Sequence, residues 1–92
     1  MGARVGDVAA RLQAARDRLG VARELRDVAE RLAEAERRRF ELGAGTLLIV
    51  NLREQSAADA ELQYLQTAAE ASAASTVWRT LDRVACNARA AD

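Results

Sequence analysis

The chain has 92 residues, with fourteen basic and fourteen acidic side chains, no histidine, no proline and one cysteine. This length holds one domain at most, and zero net charge removes any global attraction to nucleic acid or to an anionic membrane. A lone cysteine excludes an internal disulfide, and without histidine it excludes a zinc site as well.

Every basic residue is arginine, so chemistry that needs a lysine is also ruled out. Half of the residues are apolar, but alanine supplies nearly half of those, and Phe, Tyr, Trp and Met occur once each. At roughly 25 cal/mol per Å² of buried apolar surface, so few large side chains stabilise a small domain only weakly. Partners are therefore expected, either copies of the chain or the rest of a larger protein. The richness in Ala, Leu, Arg and Glu is the composition of long helices and coiled coils. No apolar run reaches the roughly 18 residues of a membrane span. Residues 1–20 are rich in arginine and lack the apolar core of a secretory signal, and Asp7 and Asp17 speak against a mitochondrial transit peptide.

In chain order, residues 1–6 read as loose, and Asp7 is placed to cap the helix that follows. Val5, Val8, Leu12, Ala15 and Leu19 recur at steps of three and four, the period of a helix with one buried stripe. The stripe then continues in a shifted register as Val21, Leu25, Val28, Leu32 and Ala35. Gly20 at the jump predicts a bend or a change of contact face, not a break. This first helix is expected over about 7–42. Arg37, Arg38 and Arg39 fall in its last turns, where cations meet the negative end of the helix dipole; a partner-binding basic patch is the other reading.

Gly43 can take the positive φ that ends a helix, Gly45 gives a second permissive position, and Thr46 can accept a hydrogen bond from a free N–H of the next helix. A turn over 43–45 follows, then a second helix over about 46–87. Leu47 to Val50 are apolar on every side of a helical turn, so apolar groups face outward at the tip unless neighbours cover them. Further on the second helix shows two stripes. One is Leu48, Leu52, Leu62, Leu65, Ala69 and Ser72; the other is Ala57, Ala60, Tyr64, Ala68, Ala71, Ser75 and Trp78. A helix in an isolated hairpin needs one stripe, and a helix flanked on both sides needs two. Antiparallel pairing about the tip sets Val5 beside Val84, Val8 beside Leu81 and Leu12 beside Val77. Residues 87–92 are expected to fray.

Catalytic patterns are missing. Gly43-Ala44-Gly45 lacks the spacing and the lysine of a phosphate loop, and the serines have no histidine or lysine to activate them. Paired carboxylates such as Glu30 and Glu34, and Arg16, Arg23 and Arg26 near Asp27 and Glu30, sit at helical spacing and read as a solvated face. No enzyme, cofactor or metal is expected.

The stretch Ala35-Glu36-Arg37-Arg38-Arg39-Phe40-Glu41-Leu42-Gly43-Ala44-Gly45-Thr46-Leu47-Leu48-Ile49-Val50 resembles the last helical hairpin of the TolC-type outer-membrane efflux channels. Gln55, Ala60, Glu61, Leu62 and Leu65, then Val77-Trp78-Arg79-Thr80-Leu81, resemble the helix that follows in that family. The likeness runs over about residues 8–82 and implies a fold and a role. The fold is an all-α, coiled-coil-like antiparallel hairpin that is a fragment of a trimeric α-barrel crossing the periplasm. The role is passive export of small molecules or proteins through an outer-membrane channel, served by a periplasmic adaptor and an inner-membrane pump. By that match Phe40, Leu42, Gly43, Ala44, Gly45 and Thr46 lie at the periplasmic tip and meet the adaptor. Ile49 and Leu52 stand where the family often carries acidic residues, so no cation-sensitive acidic ring is implied. The family's signal peptide, first repeat and β-strands are missing from the chain, which reads as a fragment or a truncated frame. The alternative reading is a free-standing coiled-coil hairpin that dimerises into a four-helix bundle as an interaction module. Nucleic-acid binding through Arg37 to Arg39 is a minor third reading.

Overall fold

A computed structural model describes residues 5–91. It is an antiparallel pair of helices, α1 (Val5–Glu41) and α2 (Leu47–Ala91), and the described residues contain no strand. The body measures 73 × 23 × 13 Å with a radius of gyration of 20.6 Å. A compact chain of this length would have a radius near 12 Å. The molecule is thus a flat rod, and among the described residues its only tertiary seam is the one between α1 and α2.

α1 is already helical at Val5, so Asp7 lies inside the first turn, where its carboxylate meets the dipole's positive end. The expected loose start concerns mainly residues 1–4, outside the described range; Val5 and Gly6 are helical. The helix runs through Gly20 unbroken, but the expected change of contact face there is corrected: the residues facing α2 keep their steps of four and three from Val8 to Glu36, and it is the large apolar residues that leave this face after Leu19. Val8, Leu12 and Ala15 are buried and Leu19 is half-buried, facing α2. Beyond Gly20 the seam passes to Ala22, Arg26, Ala29, Ala33 and Glu36, all half-buried, while Val21, Leu25, Val28 and Leu32 turn out to solvent. α2 continues to Ala91 and includes most of the segment expected to fray. That end is rich in alanine and has no glycine or proline to stop a helix.

On α2 the stripe of small residues forms the seam. Ala60 and Ala71 are buried, and Ala57, Tyr64, Ala68, Ser75 and Trp78 are half-buried. The leucine stripe is the uncovered one: Leu62 is 56% exposed, and Leu48, Leu52 and Leu65 are comparably open. Small seam residues let two helix axes approach to about 8 Å, which is how a pair with few large side chains stays closed. Three cross-links fix the register: Arg37 pairs with Glu54, Arg26 lies 3.8 Å from Glu61, and Arg26 stacks on Tyr64. This is the register that the short turn dictates. Two expected neighbours are corrected: Val5 and Val84 are 55% and 59% exposed and do not bury one another, and Leu12 is buried but Val77 points outward, the half-buried side chain next to it being Trp78. Thr67, Thr76 and Thr80 hydroxyls donate back to the carbonyls of Gln63, Ser72 and Thr76, at 2.8 to 3.0 Å. Those bonds satisfy the threonines within the helix itself.

Ala60 is only 5% exposed against α1. An Ala60→Leu substitution should therefore wedge the seam and destabilise the hairpin by about 1–3 kcal/mol, read by thermal melting of the helical circular-dichroism signal.

Candidate functional site

The tip is built by a small set of backbone bonds. α1 ends as Leu42 N–H donates to the Arg38 carbonyl at 3.0 Å. Gly43 N–H then donates to the Phe40 carbonyl at 3.0 Å, and Ala44 N–H to the Arg39 carbonyl at 2.7 Å. This six-to-one and five-to-two pair is a Schellman ending, and it needs a positive φ at the residue after the cap. Gly43 supplies it at φ +87°, and Gly45 follows at φ +82°. Thr46 begins α2. Its Oγ1 accepts from the Ile49 N–H at 3.3 Å, and its carbonyl accepts from the Val50 N–H at 3.2 Å. The helix stop, the reversal and the threonine cap all lie where the local chemistry of the sequence puts them.

The side chains around this turn form an uncovered apolar end. Leu42 is 86% exposed, and Phe40, Leu47, Leu48, Ile49 and Leu52 are also open; of the Leu47–Val50 run, only Val50 is buried. Beyond each glycine and its immediate chain neighbours, no heavy atom lies within 4 Å of where a Cβ on Gly43 or Gly45 would stand. Phe40, Leu42, Gly43, Ala44, Gly45 and Thr46 are therefore together at one exposed end of the rod. Around them Arg38 and Arg39 occupy the last turn of α1. Arg39 reaches Glu36 at 3.5 Å, Arg37 is held by Glu54, and Arg38 has no ion-pair partner among the described residues. The arginine run is thus largely spent on neighbouring carboxylates, and its local charge is modest.

The two long edges of the rod differ. One edge is a shallow groove between the exposed row of α1 (Leu25, Val28, Leu32) and polar residues of α2 (Arg53, Ser56, Asp59, Gln63). It continues past Val21 towards Gln66 and Glu70. The other edge is charged, lined by Asp27, Glu30, Glu34, Arg37 and Glu54.

Midway along the rod is a cluster that the sequence reading took for a plain surface ion pair. The Arg26 guanidinium lies 4.1 Å from the Tyr64 ring centroid, donates to Asp27 at 3.1 and 3.2 Å, and faces Glu61. The hydrogen bond to Asp27, aided by the two carboxylate charges, raises its pKa above the ordinary arginine value. The sequence signal was present: the register that aligns Val8 with Leu81 also aligns Arg26 with Tyr64. A cation over an aromatic face ties the helices together where the seam has no large aliphatic residue. Cys86 is exposed as a free thiol. Among the described residues no three metal-ligating side chains gather, and no helix is long and apolar enough to cross a membrane.

Set against protein-family models, curated proteins and solved structures, the chain matches none of them.

Proposed function

We propose that this hairpin is a wall element of a TolC-type outer-membrane efflux channel. In this reading the long helices stand side by side with others in a trimeric periplasmic α-barrel, and residues 40–46 form the tip that meets a periplasmic adaptor. The role is passive: the helices bound a conduit through which an inner-membrane pump expels its cargo, and no side chain does chemistry.

The observation that carries the reading is the apolar surface left over once the hairpin has closed. Each helix uses one stripe on its partner and keeps a second in water: Val21, Leu25, Val28 and Leu32 on α1, and Leu48, Leu52, Leu62 and Leu65 on α2. Leu62 lies roughly half a turn around α2 from the seam residue Ala60, and Leu25 and Leu32 lie about a quarter turn from the seam on α1. Apolar rows pointing in two directions from a rod one layer thick call for neighbours on more than one side. The sequence pattern around Phe40 to Val50 supplies the family.

Membrane fractionation of cells that make the protein tests this reading. An antibody raised against the hairpin should detect its antigen in the outer-membrane fraction, running in unheated gels as a trimer that dissociates on heating. An antigen found only as a soluble species of 10.0 kDa would overturn the reading.

A further inference from the structure

Val21, Leu25, Val28 and Leu32 lie along the middle of α1, each between 45% and 67% exposed. Their spacing of four, three and four is that of a coiled-coil seam. Glu24 and Arg31 immediately precede Leu25 and Leu32, and the same interval of seven continues outward to Asp17 and Arg38. Asp17 and Glu24 are acidic, and Arg31 and Arg38 are basic. All four are exposed, and none takes part in an ion pair among the described residues.

This order of charges chooses an orientation. A second copy laid antiparallel sets Leu25 against the partner's Val28, and Val21 against the partner's Leu32. The same register brings Asp17 beside the partner's Arg38 and Glu24 beside the partner's Arg31. Two-fold symmetry repeats both contacts, so every flanking charge meets its opposite. A parallel arrangement would leave Asp17 and Glu24 facing the partner's Ala22 and Ala29, with nothing to pair. The exposed area also fits an added interface. The chain exposes 7070 Å², where a compact monomer of this mass exposes about 5,200 Å². The difference exceeds the roughly 800 Å² that each partner buries in a standard interface.

We infer that the 92-residue chain on its own pairs with a second copy, α1 against α1 and antiparallel, through Val21, Leu25, Val28 and Leu32. The inference goes beyond the channel reading. It concerns what covers this row when no channel neighbours are present, and it points the two tips in opposite directions where a wall holds them at one end.

Sedimentation equilibrium of the purified chain under reducing conditions, which keep Cys86 as a thiol, is the test. The wild type should be a dimer. Leu25→Asp, at a half-exposed position, should be a monomer that keeps its helical circular-dichroism signal. Glu24→Arg should raise the dimer Kd about tenfold, because two attractive contacts per dimer become repulsive. Adding Arg31→Glu to Glu24→Arg should return the Kd to within about twofold of wild type, since the swapped pair is again complementary in the antiparallel register only. If Leu25→Asp loses its helices, the charge swap still decides. A wild-type monomer or trimer, a Leu25→Asp dimer of unchanged affinity, or a double variant no tighter than Glu24→Arg would each overturn the inference. The channel reading is decided separately, by the membrane fraction.

Discussion

Replacing Gly43 and Gly45 together with alanine should destabilise the hairpin by about 2–4 kcal/mol, since an L-residue held at positive φ costs roughly 1–2 kcal/mol. Both residues sit at φ above +80°, and open space surrounds the position where each Cβ would go. The penalty is therefore purely conformational and cannot be relieved by moving a neighbour aside. In a chain with so short a list of buried side chains, this is a large share of the total stability. Thermal melts followed by circular dichroism should show the double variant opening first, with each single variant intermediate. A melt unchanged from wild type would mean that the reversal at 43–45 is made by something other than the two glycines. Asparagine tolerates the left-handed region better than alanine, so Gly43→Asn should recover part of the loss.

The second large effect is expected at Leu12, which is 5% exposed between α1 and α2 near the open end of the rod. Leu12→Ala removes one of the few large side chains in the seam and should cost about 2–5 kcal/mol. Leu62→Ala is the control, with the same change of chemistry at a position 56% exposed. It should change the melting of the hairpin itself by no more than about 0.5 kcal/mol. Equal effects at the two positions would mean that the leucine stripe of α2, and not its alanine stripe, faces α1. That outcome would invert the assignment of inner and outer faces on which the proposed wall depends.

Much of this architecture was legible before any coordinates, for local reasons. The stop at Gly43, the cap at Thr46 and the register follow from turn chemistry and from the fixed rise of a helix. Those interactions span only a few residues, so a linear pattern can carry them. The two-striped character of α2 was legible in the same way. What the pattern could not say was which stripe faces its own partner, because Leu62 and Ala60 are both acceptable seam residues. The choice follows from α1, whose half-buried Ala22, Ala29 and Ala33 leave space for a close approach and little volume for leucine to fill. Arg26 on Tyr64 was missed for a related reason: the contact joins residues far apart in sequence, and Asp27 beside Arg26 offers a ready local partner. Val77 and Trp78 show the limit of the register, which fixes height along the rod but not rotation about its axis. At the tip, the outward-facing Leu47 and Leu48 follow from having apolar residues on every side of one turn, since a single neighbour can cover only one of those sides.

At its thinnest the rod is 13 Å across, little more than one helix with its side chains. Such a body has no interior, only a line of contacts, and each stretch of that line is supported mainly by the stretches beside it. Its cooperativity is then closer to that of a zipper than of a globule, with partial openings that spread along the length. Whatever grips it from the side would also hold it shut, so binding and folding would be two readings of one equilibrium.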